Sequence, residues 1–246
     1  MILEFVGAGD AFGSGGRLQT CVSVRWAGHH VLVDCGATSL VGLRRLGLEP
    51  AAVDAVLVSH LHGDHFGGLP FLILDQQFAR RERPLTIGGP VGTAARLEQA
   101  LEVLFPGSNR VQRRFRVDVV ELQPEMATDV GPARVTTVSV DHASGAPALG
   151  LRLQCGSRRL AYSGDTAWTP ALLDLAEGAD VFVCEAYSFD RPIRYHLDYA
   201  TLRTNRAQLR CRRLVLTHLG PQALAHRAEL EADGIEVADD GLRIEL

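Results

Sequence analysis

Apolar residues come in short runs bounded by Gly, Pro or Asp. Those at 2–6, 21–26, 30–34, 53–58, 84–87, 115–121, 134–140, 148–154, 158–162, 180–184 and 213–217 read as strands. Between them, over 39–47, 67–80, 91–104, 169–177, 198–209 and 222–232, apolar residues return at three- and four-residue steps, the period of a helix with one buried face. Thr169-Pro170 and Pro221 mark two helix starts, because proline suits a first turn whose N–H has no partner. Early strands fall in hairpin-like pairs, helices follow, and the pattern begins again near residue 115. This order predicts an α/β protein with two helix-covered sheets, one unit over 1–246 built from two similar halves. No linker, charge block or short repeat marks a boundary.

Composition changes this picture little. Hydrophobic residues at 46% and charged residues at 22% are globular values, enough for a packed core. A net charge of -4 gives no general attraction to nucleic acid, and the arginines at 80–83, 110–116 and 203–213 read as solvated faces and helix ends. Five scattered cysteines without a C-x-x-C pair suggest neither a disulfide framework nor a thiolate zinc site, and fit a reducing compartment. The opening residues lack a basic, apolar leader and no apolar stretch is long enough to span a membrane, so a cytoplasmic location is expected.

Chemistry enters at Ser59-His60-Leu61-His62-Gly63-Asp64-His65, directly after the run 53–58. Three imidazoles and a carboxylate within six residues, at the end of a buried strand, are costly unless something satisfies them, and a metal ion is the usual solution. Imidazole and carboxylate donors suit a divalent ion of borderline softness, and the lack of nearby cysteine favours a catalytic site with an open position. Gly7, Gly9 and Gly13 also follow a strand, but their spacing is one residue off a dinucleotide-binding fingerprint. Gly15 and Gly16 come next, then another strand, leaving no helix to hold a pyrophosphate. A substrate-facing loop or a hairpin turn is expected there instead. His29 and His30 are placed in a hairpin turn and His226 on a solvated helix face. Asp34 either orients a ligand histidine or fixes a turn.

The H-x-H-x-D-H pattern resembles the central motif of the metallo-β-lactamase superfamily. Asp34-Cys35-Gly36 is similar to that family's strand-end Asp-x-Gly, His142 to its third histidine, Ser163-Gly164-Asp165-Thr166 to its bridging-aspartate turn and Thr217-His218 to its last histidine. The resemblance implies a four-layer αββα sandwich holding two divalent ions, zinc first, with manganese or iron accepted by the same donors. It implies that His60, His62 and His142 hold one ion, that Asp64, His65 and His218 hold the other, and that Asp165 bridges them. Two such ions make water nucleophilic and stabilise a leaving oxygen, so hydrolysis is the implied reaction.

Within the superfamily, HLHGDHFGGLP and the Gly-Pro loop Ile87–Gly92 resemble the ribonuclease Z branch, phosphodiesterases that remove tRNA 3′ trailers. Cys184-Glu185-Ala186-Tyr187 is similar to its H-E-A-T box and His196 to the histidine of its H-S-T box, although Cys184, Tyr187, Leu197 and Asp198 depart from those patterns. The resemblance implies that Glu185 orients His196, that His196 protonates the departing oxygen, and that Asp64 takes a proton from the nucleophile. It also implies a homodimer. Many ribonuclease Z proteins carry an inserted arm that grips tRNA, between the third histidine and the bridging aspartate. Here 23 positions separate His142 from Asp165, room for one hairpin. A small cyclic or linear phosphodiester, or another ester, is therefore an alternative substrate to RNA. A metal-binding protein without catalysis is disfavoured by the complete ligand set.

Overall fold

Alternation along β1 (Ile2–Gly7), β2 (Cys21–Trp26) and β3 (His29–Val33) turns Leu3, Phe5, Val22, Val24, Val31 and Val33 to one face, where all are buried. These strands are antiparallel; β4 (Ala55–Leu57), β5 (Leu85–Pro90) and β6 (Val117–Leu122) then add in parallel, and β14 (Arg243–Glu245) returns to the far edge beside β1. The second sheet repeats the scheme. β7 (Ala127–Val130), β8 (Ala133–Ser139), β9 (Leu149–Cys155) and β10 (Arg158–Tyr162) form an antiparallel meander, and β11 (Val181–Glu185), β12 (Leu214–Thr217) and β13 (Glu236–Val237) follow in parallel.

The computed structural model describes residues 1–246. A buried cluster drawn from both sheets fills the space between them. A second cluster joins the outer face of the first sheet to α1 (Ser39–Arg45), α3 (Leu69–Phe78) and α4 (Thr93–Leu104). A third packs α5 (Ala171–Ala176), α6 (Tyr199–Asn205), α7 (Pro221–Ala225) and α8 (Arg227–Ala232) on the second. The result is the αββα sandwich expected from the resemblance. No helix is long and apolar enough to cross a membrane.

Several sequence expectations shift by an element. The run near 115 ends the first sheet rather than opening the second half, which begins at β7; β6 reaches β5 across the α4 crossover. Strands β7, β13 and β14 escape the hydrophobic pattern because they are short sheet-edge strands burying one residue each. The helix expected over 222–232 is two, broken at His226, whose ring stacks on Phe189 with centroids 4.2 Å apart. The hairpin turn is Ala27-Gly28, both at positive φ, so His29 and His30 lie in β3 and not in the turn. His30 points inward, with Nε2 2.9 Å from Ser23 Oγ.

Candidate metal centre

Parallel strands β3, β4, β10, β11 and β12 all end at one rim of the sandwich, where an open α/β sheet ordinarily presents its chemistry. Asp34 follows β3, His60 and His62 follow β4, Asp165 follows β10, Glu185 ends β11 and His218 follows β12. A single helical turn, α2 (Gly63–Phe66), carries Asp64 and His65 inward. The donor atoms fall into two adjoining groups. His60, His62 and His142 form one, and Asp64, His65, Asp165 and His218 the other, each with its atoms within 4.8 Å of one another. Asp165 faces both: its Oδ2 is 3.9 Å from His60 Nε2, and its Oδ1 is 3.2 Å from His65 Nε2.

Ring nitrogens and carboxylate oxygens crowd together in this cluster. His142 donates Nδ1–H to the Tyr195 carbonyl at 2.9 Å, leaving a bare Nε2 that lies 3.0 Å from His62 Nδ1. His65 donates Nδ1–H to Asp34 Oδ2 at 2.7 Å, leaving Nε2 3.2 Å from oxygens of both Asp64 and Asp165. Buried His60 Nε2 and Asp165 Oδ1 have no hydrogen-bond partner at all. The ion pairs of Asp64 and Asp165 are with histidines alone. Burial holds His60, His62 and His142 below the ordinary imidazole range, which leaves their nitrogens free as ligands. Buried, unpaired acceptors of this kind fit two divalent cations.

Asp34 does both things the sequence allows. It occupies a left-handed turn at φ 58° and is fully buried. Its carboxylate also accepts from Ser59 N at 2.7 Å, Ser59 Oγ at 2.9 Å and Tyr162 Oη at 2.6 Å, besides His65. The Ser59 hydroxyl is 3.1 Å from His60 Nδ1, so one carboxylate orients both His65 and His60. Beside the cluster, Glu185 Oε2 accepts from His196 Nδ1 at 3.1 Å while its Oε1 accepts from Thr166 N. Burial opposes charge on His196, but the hydrogen bond and negative charge of Glu185 overcome it and raise the imidazole above its ordinary pKa.

All nine candidate residues thus meet at one rim. Sequence reasoning missed Tyr162, which ends an ordinary-looking strand, and Arg17, whose buried guanidinium donates to the carbonyl of Leu219, next to His218. Neither side chain belongs to a recognisable spacing. The glycine-rich segment is a loop that reaches the metal rim, where the Ala8 carbonyl accepts from His218 N at 3.1 Å. Gly7 is required there because a Cβ would lie 2.0 Å from the Gln19 carbonyl oxygen.

Known proteins resemble this chain in sequence and fold. Ribonuclease Z of Methanothermobacter thermautotrophicus is 26% identical over 304 aligned positions, spanning 100% of this chain and 97% of that one. Human tRNase Z, short form, is 25% identical, with a TM-score of 0.79 and coverage of 100% and 99%. The metallo-beta-lactamase fold protein YhfI of Bacillus subtilis superposes with a TM-score of 0.78 at 21% identity, covering 99% of each chain. The fold is that of the metallo-β-lactamase superfamily and the likeness is to its ribonuclease Z-like branch. Since the family described as "Anti-Pycsar protein Apyc1" matches residues 1–237, nearly end to end, this chain belongs to that family.

Proposed function

We propose that this protein is a metal-dependent phosphodiesterase of the ribonuclease Z-like type. The observation that carries this reading is the meeting of a complete two-ion donor set with the Glu185–His196 pair at one rim. His60, His62 and His142 would hold one ion, Asp64, His65 and His218 the second, and Asp165 both, zinc being the ion that suits these donors first. When bound, the ions supply Lewis-acid polarisation of the phosphoryl group and a lowered water pKa. Asp64 takes the proton of the attacking water as the new P–O bond forms. Glu185 holds the Nδ1–H of His196, which turns Nε2 toward the cleft. His196 donates from Nε2 to the departing oxygen as the old P–O bond breaks.

Replacing His196 with Ala should lower turnover of an alkyl phosphodiester, whose alkoxide leaving group needs a proton, about 100-fold or more while metal content, read by elemental analysis, stays at two ions. Unchanged turnover would remove His196 from the reaction. The assembly expected from the resemblance is a homodimer.

A second reading, a small cyclic or linear phosphodiester in place of tRNA, is favoured by the segment between His142 and Asp165. Strands β9 and β10 pair Cys155 directly with Arg158, closing on a two-residue turn at Gly156-Ser157, so no arm projects. Pre-tRNA offered beside bis(p-nitrophenyl) phosphate separates the readings: cleavage of the small ester alone would eliminate RNA.

A further inference from the structure

Tyr187, one of the departures from the H-E-A-T pattern, lies against the candidate acid. Its ring packs on the imidazole of His196, with centroids 4.9 Å apart and planes 33° from parallel, and lies 6.1 Å from the ring of His218. We infer that Tyr187 is a positioning residue whose ring holds the face of His196 and keeps Nε2 on the departing oxygen, resting on the phosphodiesterase reading above. The hydrogen bond from Nδ1 to Glu185 Oε2, at 3.1 Å, fixes one edge of the imidazole but lets its plane swing about that bond. His142 meets the ring edge-on at 5.0 Å, and the tilted face of Tyr187 removes the remaining freedom by packing.

Tyr187 is itself held from two sides. Its N–H donates to the Leu197 carbonyl at 2.9 Å, which sets it across from the residue after His196, and its own carbonyl accepts from Gly220 N at 2.8 Å. Gly220 has φ −76°, a conformation open to every residue, so glycine stands there for room and not for backbone freedom. A Cβ on it would lie 3.0 Å from Tyr187 Cε2 and Cζ and 2.8 Å from the Tyr187 carbonyl oxygen. The second box belongs to the same frame. Leu197 faces Tyr187 through its carbonyl, Asp198 caps α6 by accepting from Thr201 N at 2.8 Å, and His196 N donates to Ile193 O at 3.0 Å. The backbone on either side of His196 is therefore fixed, and the ring of Tyr187 fixes the side chain.

Methyl aryl phosphodiesters that release p-nitrophenolate or phenolate test this, because the poorer leaving group depends more on a delivered proton. In the metal-loaded enzyme, Tyr187→Leu should lower kcat about 10- to 100-fold more on the phenyl ester than on the p-nitrophenyl ester, through kcat rather than KM. Tyr187→Phe keeps the ring and should keep the wild-type ratio of the two esters. Gly220→Ala crowds the ring out of place and should share the selective loss, so it carries the same test if Tyr187→Leu does not fold. In a His196→Ala background, Tyr187→Leu should add no further selectivity. A loss equal on both esters would make the role of Tyr187 merely structural, and a Tyr187→Phe protein as impaired as Tyr187→Leu would move it to the hydroxyl; either overturns positioning by the ring. Cleavage of neither ester by wild type would instead sink the phosphodiesterase reading. The ring can then still be read by NMR, from the Nδ1–H resonance of His196 assigned by its absence in His196→Ala. It should be sharp in wild type and Tyr187→Phe and broadened in Tyr187→Leu, and equal sharpness in all three would refute the positioning.

Discussion

Asp34 carries more of the site than any residue that would touch an ion, because one carboxylate fixes the ring orientation of His65 directly and of His60 through Ser59. Asp34→Asn keeps the size but offers one acceptor oxygen where the site uses two. Metal affinity should fall about 10- to 100-fold, measured by competition with a chromogenic chelator, with the fold retained by circular dichroism. An unaltered affinity would show that the ring orientations are set elsewhere. A second residue-scale effect lies far from the rim, at His30. Burial, reinforced by the charge of Arg25 and opposed by Asp54, pushes its pKa down to about 4. Its unfolded value is near 6.5, so the folded state disfavours the protonated form and the unfolded chain binds the extra proton between those values. The stability contributed by neutral His30 is complete above about pH 6.5 and is lost as pH falls toward 4, by up to about 3 kcal/mol. Urea midpoints at pH 7, 5.5 and 4.5 should decline more steeply for wild type than for His30→Gln; parallel declines would contradict it.

Elements reach the site through their ends, and the loop between β1 and β2 shows what that requires. His218 adopts φ 58°, a conformation costly for a residue with a Cβ, and the loop clamps it from both sides. The Ala8 carbonyl accepts from His218 N, and Arg17 donates to the Leu219 carbonyl and to Ser14 O at 3.1 Å. Arg17→Ala would leave the buried Leu219 carbonyl without its donor, costing about 1–3 kcal/mol, and Arg17→Lys should recover only part because an ammonium cannot span both carbonyls. Denaturant unfolding checks the order wild type, Lys, Ala. This clamp also marks the limit of reading a sequence. His60 to His65 is legible because four donors crowd six positions, and His142, Asp165 and His218 because their order beside that motif matches a known family. Arg17 and Tyr162 act across 202 and 128 positions of chain, and no local spacing announces such a pairing. The same physics sorts the strands: β1 to β5, with buried faces, show in the hydrophobic pattern, whereas β7, β13 and β14 bury too little to show.

At the scale of the molecule, the candidate donors come from both sheets. His60, His62, Asp64 and His65 sit at the end of the first sheet, and His142, Asp165 and His218 at the rim of the second. Ions held jointly would therefore tie the two halves together across the core, binding the folded chain and not the unfolded one. Such binding stabilises by RT ln(1 + [L]/Kd), about 4 kcal/mol when free ion exceeds Kd a thousandfold. The thermal midpoint should rise with zinc concentration and fall on chelation, and because the apolar layer between the sheets persists, the chelated protein should still unfold cooperatively. Sheet packing alone predicts something different, a midpoint indifferent to free ion. A variant that lacks a donor from one half only, His218→Ala, discriminates further: it should keep the first three-histidine group and so retain part of the ion-dependent rise. Complete loss of that rise would mean that the two groups bind as a single cooperative unit through Asp165, whose oxygens face both.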